Sequence, residues 1–192
     1  MARISIIGTG NMANAIGGVL ADGGSDVAYI SQAETGSAPL DGEIVVLAVP
    51  HSAVDSILDA YGDKLDGKIV VDITNPVNFE TFDSLTVPPG SSAAAQIQSK
   101  LPAAHVLKAF NTTFAGTLVS KRIGGAPTTV LIAGDDVAAK ELLATALKAG
   151  GVAAMDAGSL SRAHELEALG FLQLTLAASE KISWTGGFAV IS

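Results

Sequence analysis

The stretch that most constrains this chain lies at its start, where Ile4-Ser5-Ile6-Ile7 runs into Gly8-Thr9-Gly10-Asn11-Met12-Ala13. The apolar run predicts a buried strand, and the uncharged pattern over residues 11–21 predicts a helix, so the glycines fall in a strand-to-helix turn. In G-x-G-x-x-A each small residue has a mechanical reason. Gly8 permits the tight turn, Gly10 lets the backbone approach a ligand closely, and Ala13 lets the helix pack on the sheet. Free N–H groups and the helix dipole favour a negative group there, and the spacing suits a dinucleotide's pyrophosphate. Gly8, Thr9, Gly10, Asn11 and Met12 are therefore the first candidate binding residues. A plain strand-turn-helix can carry the same letters, but here the context agrees: Asp22-Gly23-Gly24 stops the helix and a second strand follows over residues 26–30. That strand ends ~20 residues past the glycines, where a ribose-reading residue belongs, which makes Ser31 and Gln32 candidates as well.

The rest of the chain alternates in the same way. Residues 43–50 and 68–76 are near-continuous β-branched runs ended by Pro50 and Asn75-Pro76, and residues 51–61 carry Val54, Ile57 and Leu58 at helical spacing. Residues 91–101 read as a helix, and residues 106–110 and 128–133 as strands. Asp135-Asp136 open a helix that Gly150-Gly151 closes, residues 152–155 form a short strand, and residues 159–181 a long helix. Continuous apolar strands belong to a parallel sheet covered on both faces. The expected class is α/β, a doubly wound, mostly parallel sheet with a long C-terminal helix. One domain over 1–192 is expected, with 113–192 completing the sheet and forming the acceptor or dimer side. The long helix has no charge between Ala168 and Ser179, and its apolar residues cover more than one face. Such a helix is expected to be buried on several sides, against the sheet or a second subunit of a homodimer.

Composition removes several function classes. The chain of 192 residues has no cysteine, so it has no disulfide, thiolate or cysteine-metal chemistry, in keeping with a cytoplasmic protein. Its net charge of −8 disfavours nucleic acid and anionic membranes as partners. The Gly-Thr-Gly-Asn break argues against reading the first apolar stretch as a signal peptide, and no run of ~20 apolar residues predicts a membrane span. None of His51, His105 and His164 has metal-ligand spacing, so no metal is expected. His51 serves to open a helix, His105 is structural, and His164 sits on a solvated turn.

With these elements placed, the chain resembles the small dinucleotide-binding oxidoreductases related to NADP-dependent reductases of the deazaflavin coenzyme F420. The resemblance spans nearly the whole length. It rests on Gly8-Thr9-Gly10-Asn11-Met12-Ala13, Leu47-Ala48-Val49-Pro50, Asp72-Ile73-Thr74-Asn75-Pro76, Lys108-Ala109-Phe110-Asn111-Thr112, Ala133-Gly134-Asp135-Asp136 and Asp156-Ala157-Gly158-Ser159-Leu160. The same Rossmann-type module resembles the reductase domain of flavin-using metalloreductases. The resemblance implies that Ala48, Val49 and Pro50 line the adenosine-to-ribose track, while Asn75, Pro76, Phe110 and Asn111 approach the nicotinamide. It implies NADP as cofactor and coenzyme F420 or a flavin as acceptor. Asn75 and Asn111 can donate and accept, as a carboxamide or ribose hydroxyl requires, although Asn before Pro also serves a turn.

Two departures stand out. Only residues 31–42 separate the second strand from the third, too few for a helix and a strand, so one βα unit is missing and the adenine side should be open. In addition, Ser31-Gln32-Ala33 places neither the acid that reads an NAD ribose nor the Arg that takes an NADP phosphate. Glu34 comes later, and no Lys or Arg occurs over residues 4–63, so NAD stays open beside NADP. Hydride transfer to a flat ring needs positioning more than acid–base groups. Phe110, Trp184 and Phe188 are aromatic candidates for stacking on an acceptor, with core packing as their plainer role. Alternation along the strand puts Lys108 and Phe110 on the same face, which admits a catalytic lysine, with a surface strand lysine as its expected role. The residues fit an oxidoreductase passing hydride between nicotinamide and a flavin or deazaflavin. A reductase of a small carbonyl or imine and a non-catalytic dinucleotide sensor are the alternatives.

Overall fold

The computed structural model describes residues 2–191. Strand β1 (Arg3–Ile7) is followed by helix α1 (Asn11–Asp22), β2 (Asp26–Ile30), β3 (Ile44–Leu47), α2 (His51–Tyr61) and β4 (Ile69–Asp72). Next come α3 (Ala93–Lys100), β5 (His105–Lys108), α4 (Ala115–Ser120), and a hairpin of β6 (Arg122–Ile123) and β7 (Ala126–Pro127). The chain then forms β8 (Thr129–Gly134), α5 (Val137–Ala149), β9 (Ala153–Gly158) and α6 (Ala163–Ala178).

Seven strands make one sheet in the order β2-β1-β3-β4-β5-β8-β9. All neighbours are parallel except β5 and β8, which run antiparallel. Every residue of β3 and β4 is buried, as strands covered on both faces require. Alternation divides the core. Ile4, Ile6, Val46, Val71 and Leu107 pack with Ile16 of α1, Leu118 of α4 and Leu143 of α5. Val45, Leu47, Val70 and Val106 pack with Val54 and Ile57 of α2 and Ile97 of α3 on the other face. The ends of two helices follow from their capping residues. Ser92 Oγ accepts the N–H of Ala95 at the start of α3, and Asp136 Oδ1 accepts that of Ala139 at the start of α5.

From β2 the chain makes one 3₁₀ turn (Gln32–Glu34) and a loop, then enters β3 on the opposite side of β1. No helix or strand intervenes, so the βα unit missing by residue count is missing in space. With β2 and β3 on opposite sides of β1, the connections diverge and leave a crevice at the carboxyl ends of β1 and β3, the place where ligands bind in open α/β sheets.

Two expectations are corrected and a third stretch gains elements. The long helix is a 3₁₀ turn (Leu160–Arg162) followed by α6, and within this chain it is buried along one stripe: Ala163, Leu166, Glu167, Gly170, Gln173 and Ala177. Polar Glu167 and Gln173 face inward while Leu172 is half exposed, because both polar groups find partners within the fold. Second, β5 ends at Lys108, and Phe110 lies beyond it at φ 64°, so alternation does not carry from one to the other. Third, α4 and the β6–β7 hairpin occupy residues that carried no periodic signal.

Candidate active site

The glycine-rich turn is built by two close approaches. Gly8 adopts φ 122° and its N–H donates to Ile30 O at 2.8 Å, while Ala48 N–H donates to Ile7 O at 2.9 Å. A Cβ on Gly8 would lie 2.2 Å from Ala48 O, so only glycine lets the turn lie against the end of β3. Gly10 is different. It caps α1 in extended backbone with φ −77°, and a Cβ there would meet nothing within 4 Å. The space above Gly10 is open, and no side chain caps the first turn of α1.

Two cavities meet at this turn. The first, about 550 Å³, is lined by Gly8, Thr9, Gly10, Gln32, Ala48, Val49 and Pro50, with Thr35, Ala53 and Ser56 added by the fold. The second, about 480 Å³, is lined by Asn11, Met12, Asn75, Phe110 and Asn111, together with Thr113, Phe114, Leu174, Trp184 and Thr185. Ser31 and Pro76 line neither cavity, and Pro76 is buried. Trp184 is half exposed over Phe114, with ring centroids 4.9 Å apart, whereas Phe188 lies outside the cavity and its N–H donates to Gln173 Oε1. Phe110 is fully buried at the second cavity's floor. No side chain lining the second cavity is ionisable.

Asn75 and Asn111 bond to each other across the ends of β4 and β5. Asn75 Nδ2 donates to Asn111 O at 2.8 Å, and Asn111 Nδ2 donates to Asn75 Oδ1 at 2.9 Å and Leu166 O at 2.8 Å. These bonds fix the orientation of both amides and leave Asn111 Oδ1, buried, without a hydrogen-bond partner among the described residues. A Cβ on Gly170 of α6 would lie 2.4 Å from Asn75 Oδ1, so the glycine lets the helix close on the pair.

Behind the pair lies a charged cluster. Lys108 is fully buried, which corrects the expectation of a surface lysine. Its Nζ is 2.7 Å from Asp72 Oδ2, 2.8 Å from Glu167 Oε1 and 2.6 Å from Thr74 O, so its three protons meet three oxygens. Asp72 and Lys108 are register partners on β4 and β5, and Asp72 Oδ1 accepts the N–H of Thr74. Glu167 Oε2 also accepts the N–H of Ala93 at the start of α3, where the helix dipole favours an anion. The cluster fixes the segment leading into Asn75 and is sealed from both cavities.

At the end of β2 an acid joins the uncharged Ser31-Gln32 pair in space. Glu34 folds back so that its Oε2 accepts the N–H of Ser31 at 2.9 Å and its hydroxyl at 2.5 Å. The Ser31 hydroxyl, then its N–H, hold the Glu34 carboxyl below the usual carboxylate range. The sequence signal was present as Ser31-Gln32-Ala33-Glu34, the S-x-x-E spacing of a capping box. The three histidines stay outside both cavities. His51 opens α2, and His105 Nδ1 lies 2.9 Å from Asp136 as a structural residue would. His164 is half-buried with Nδ1 3.0 Å from Ser91 O rather than on a solvated turn. Among the described residues no group of acids and histidines could hold a metal, and no helix is long and apolar enough to cross a membrane.

No family model matches the chain. It is similar to the metalloreductase STEAP3 of Rattus norvegicus, 30% identical over 182 residues, and the match covers 87% of this chain but only 36% of that protein. It is similar to the F420-dependent NADP reductase of Methanocaldococcus jannaschii, 29% identical over 157 residues, covering 80% of this chain and 70% of that one. A crystal structure from Arthrobacter sp. FB24, provisionally assigned as an F420-dependent NADP reductase, superposes over 100% of both chains with a TM-score of 0.85 and 28% identity. In sequence and in fold, therefore, the chain resembles the small dinucleotide-binding oxidoreductases related to F420-dependent NADP reductases.

Proposed function

We propose that the chain is a nicotinamide-dinucleotide oxidoreductase that passes hydride between the nicotinamide and a flat conjugated ring of the flavin or deazaflavin class. The names of its relatives support reductase chemistry with NADP(H), and its own residues fit a dinucleotide laid across the turn. Gly10 leaves the path of the pyrophosphate clear, Gly8 lets the turn lie against the end of β3, and Ala48, Val49 and Pro50 wall the adenosine side. Asn75 and Asn111 line the second cavity with amides, groups of the kind that pair with a carboxamide. Bound there, the cofactor would supply the hydride, and the chain's contribution is to orient the two rings and exclude water.

The observation that carries the choice of acceptor is the second cavity's lining. Reducing a carbonyl or imine places charge on one oxygen or nitrogen, which calls for a proton donor beside it. This cavity offers no ionisable side chain for that role, only amides and hydroxyls, and it offers aromatic and aliphatic surface from Met12, Phe114, Leu174 and Trp184, which suits a flat ring that spreads incoming charge. The test is to mix NADH or NADPH anaerobically with FMN, FAD, coenzyme F420 and a panel of small carbonyls and imines, following loss of the dihydronicotinamide absorbance. Turnover with a ring acceptor alone is expected. Turnover with a carbonyl or imine would replace this reading, and binding without oxidation by any acceptor would make the protein a sensor. The reading extends to a cytoplasmic homodimer joined through the outward side of α6 around Leu172, which a monomer in sedimentation at micromolar concentration would disprove.

A further inference from the structure

We infer that Glu34 makes this chain prefer NAD(H) to NADP(H), because its carboxylate takes both donors of the residue that follows β2 and puts a negative charge on the turn bordering the adenosine side. The inference rests on the dinucleotide reading above and departs from the cofactor in the relatives' names. Ser31 is the first residue beyond β2, the position from which open α/β sheets read the adenosine ribose. Both of its donors, the N–H and the hydroxyl, are committed to Glu34 Oε2. Gln32 and Thr35, on either side of Glu34 in the chain, line the adenosine-side cavity, so the turn that carries this carboxylate is that cavity's wall.

A 2′-phosphate needs donors and positive charge, and here it would meet a neutral Gln32 amide, Ser31 donors already taken and a like charge. The ribose 2′-hydroxyl of NAD can instead donate to the carboxylate. The hydrogen bonds from Ser31 favour the ionised form of Glu34. No arginine or lysine occurs over residues 4–63 to reverse the sign. Lys64 reaches the same loop, but its Nζ donates to Gly36 O at 3.4 Å and lies 5.8 Å from the Tyr61 ring centroid.

The experiment is a fluorescence titration of the whole protein with NADH and with NADPH, repeated for Glu34→Gln, Gln32→Arg and Lys64→Gln. The natural chain should bind NADH at least about tenfold more tightly than NADPH, the scale of one repulsive charge contact. Glu34→Gln should bind NADPH more tightly and NADH less tightly, closing that ratio, and Gln32→Arg should shift it the same way. Equal or tighter binding of NADPH by the natural chain overturns the inference while leaving the dinucleotide reading intact. So does a ratio that Glu34→Gln leaves unmoved, or NADPH affinity that depends on Lys64. Failure of the natural chain to bind either cofactor removes the dinucleotide reading itself and this inference with it.

Discussion

At the scale of single residues, Lys108 shows how far a side chain's role depends on partners remote in sequence. A lysine at a strand end is ordinarily solvated, yet here it is fully buried between two carboxylates, and its cost of burial is offset by three hydrogen bonds. Two carboxylates against one ammonium would leave excess negative charge, which the N–H groups of Thr74, Ala93 and Ala94 counter. Removing the cation while leaving both acids buried is the expensive change. Lys108→Met should lower unfolding free energy by about 3–5 kcal/mol in urea titration, with Glu167→Gln milder because it keeps an acceptor for the α3 amides. A Lys108→Met midpoint within about 0.5 kcal/mol of the natural chain would mean that water reaches the cluster. Nothing near Lys108 in the sequence announces this burial, since Asp72 lies on the neighbouring strand and Glu167 on a distant helix. Glu34 is the opposite case: its partner is three residues away and the spacing alone signals the contact.

At the scale of elements, the strands were readable because β-branched runs bounded by Pro, Gly and Asn admit few other structures. Helix α6 was readable in position but not in orientation. Its apolar residues invited burial all round, whereas the stripe that packs is the one with small and polar residues, chosen by the groups it must satisfy. Helix α4 was not readable because six residues show no period. The closeness of α6 to the ends of β4 and β5 depends on Gly170, where alanine would be the better helix former by about 1 kcal/mol in isolation. Gly170→Ala should nevertheless destabilise the protein by about 1–3 kcal/mol, because the new methyl meets Asn75 Oδ1 and Asn111 where they cannot both retreat. Hydrogen exchange should accelerate around Asn111 and the middle of α6 and stay unchanged in α1 and β2. A gain in stability would show that the asparagine pair is mobile enough to make room.

At the scale of the whole molecule, the two cavities draw on the ends of β1, β3, β4 and β5 and the starts of α1 and α4. A ligand across them ties together elements from both faces of the sheet, so its binding energy should appear as resistance to global unfolding. At a hundredfold excess over its dissociation constant, one ligand adds about 2.7 kcal/mol. For a chain of this length that is a rise of about 5–10 °C in Tm with the preferred cofactor. Gly10→Val isolates the cause. The extended backbone there accepts a side chain and the Cβ meets only open space, so the unliganded variant should melt within a degree or two of the natural chain. With its side chain in the path of the pyrophosphate, the variant should show no cofactor-induced rise. Gly8→Ala is the contrasting control, expected to melt well below both without ligand, since its Cβ would run into Ala48 O at a φ that alanine rarely adopts. Differential scanning fluorimetry of the three proteins with and without NADH and NADPH reads all of this. A full rise in Gly10→Val would move the dinucleotide off the turn, and a collapse of its unliganded Tm would make Gly10 a folding residue, with the glycines of one motif no longer divided between architecture and ligand.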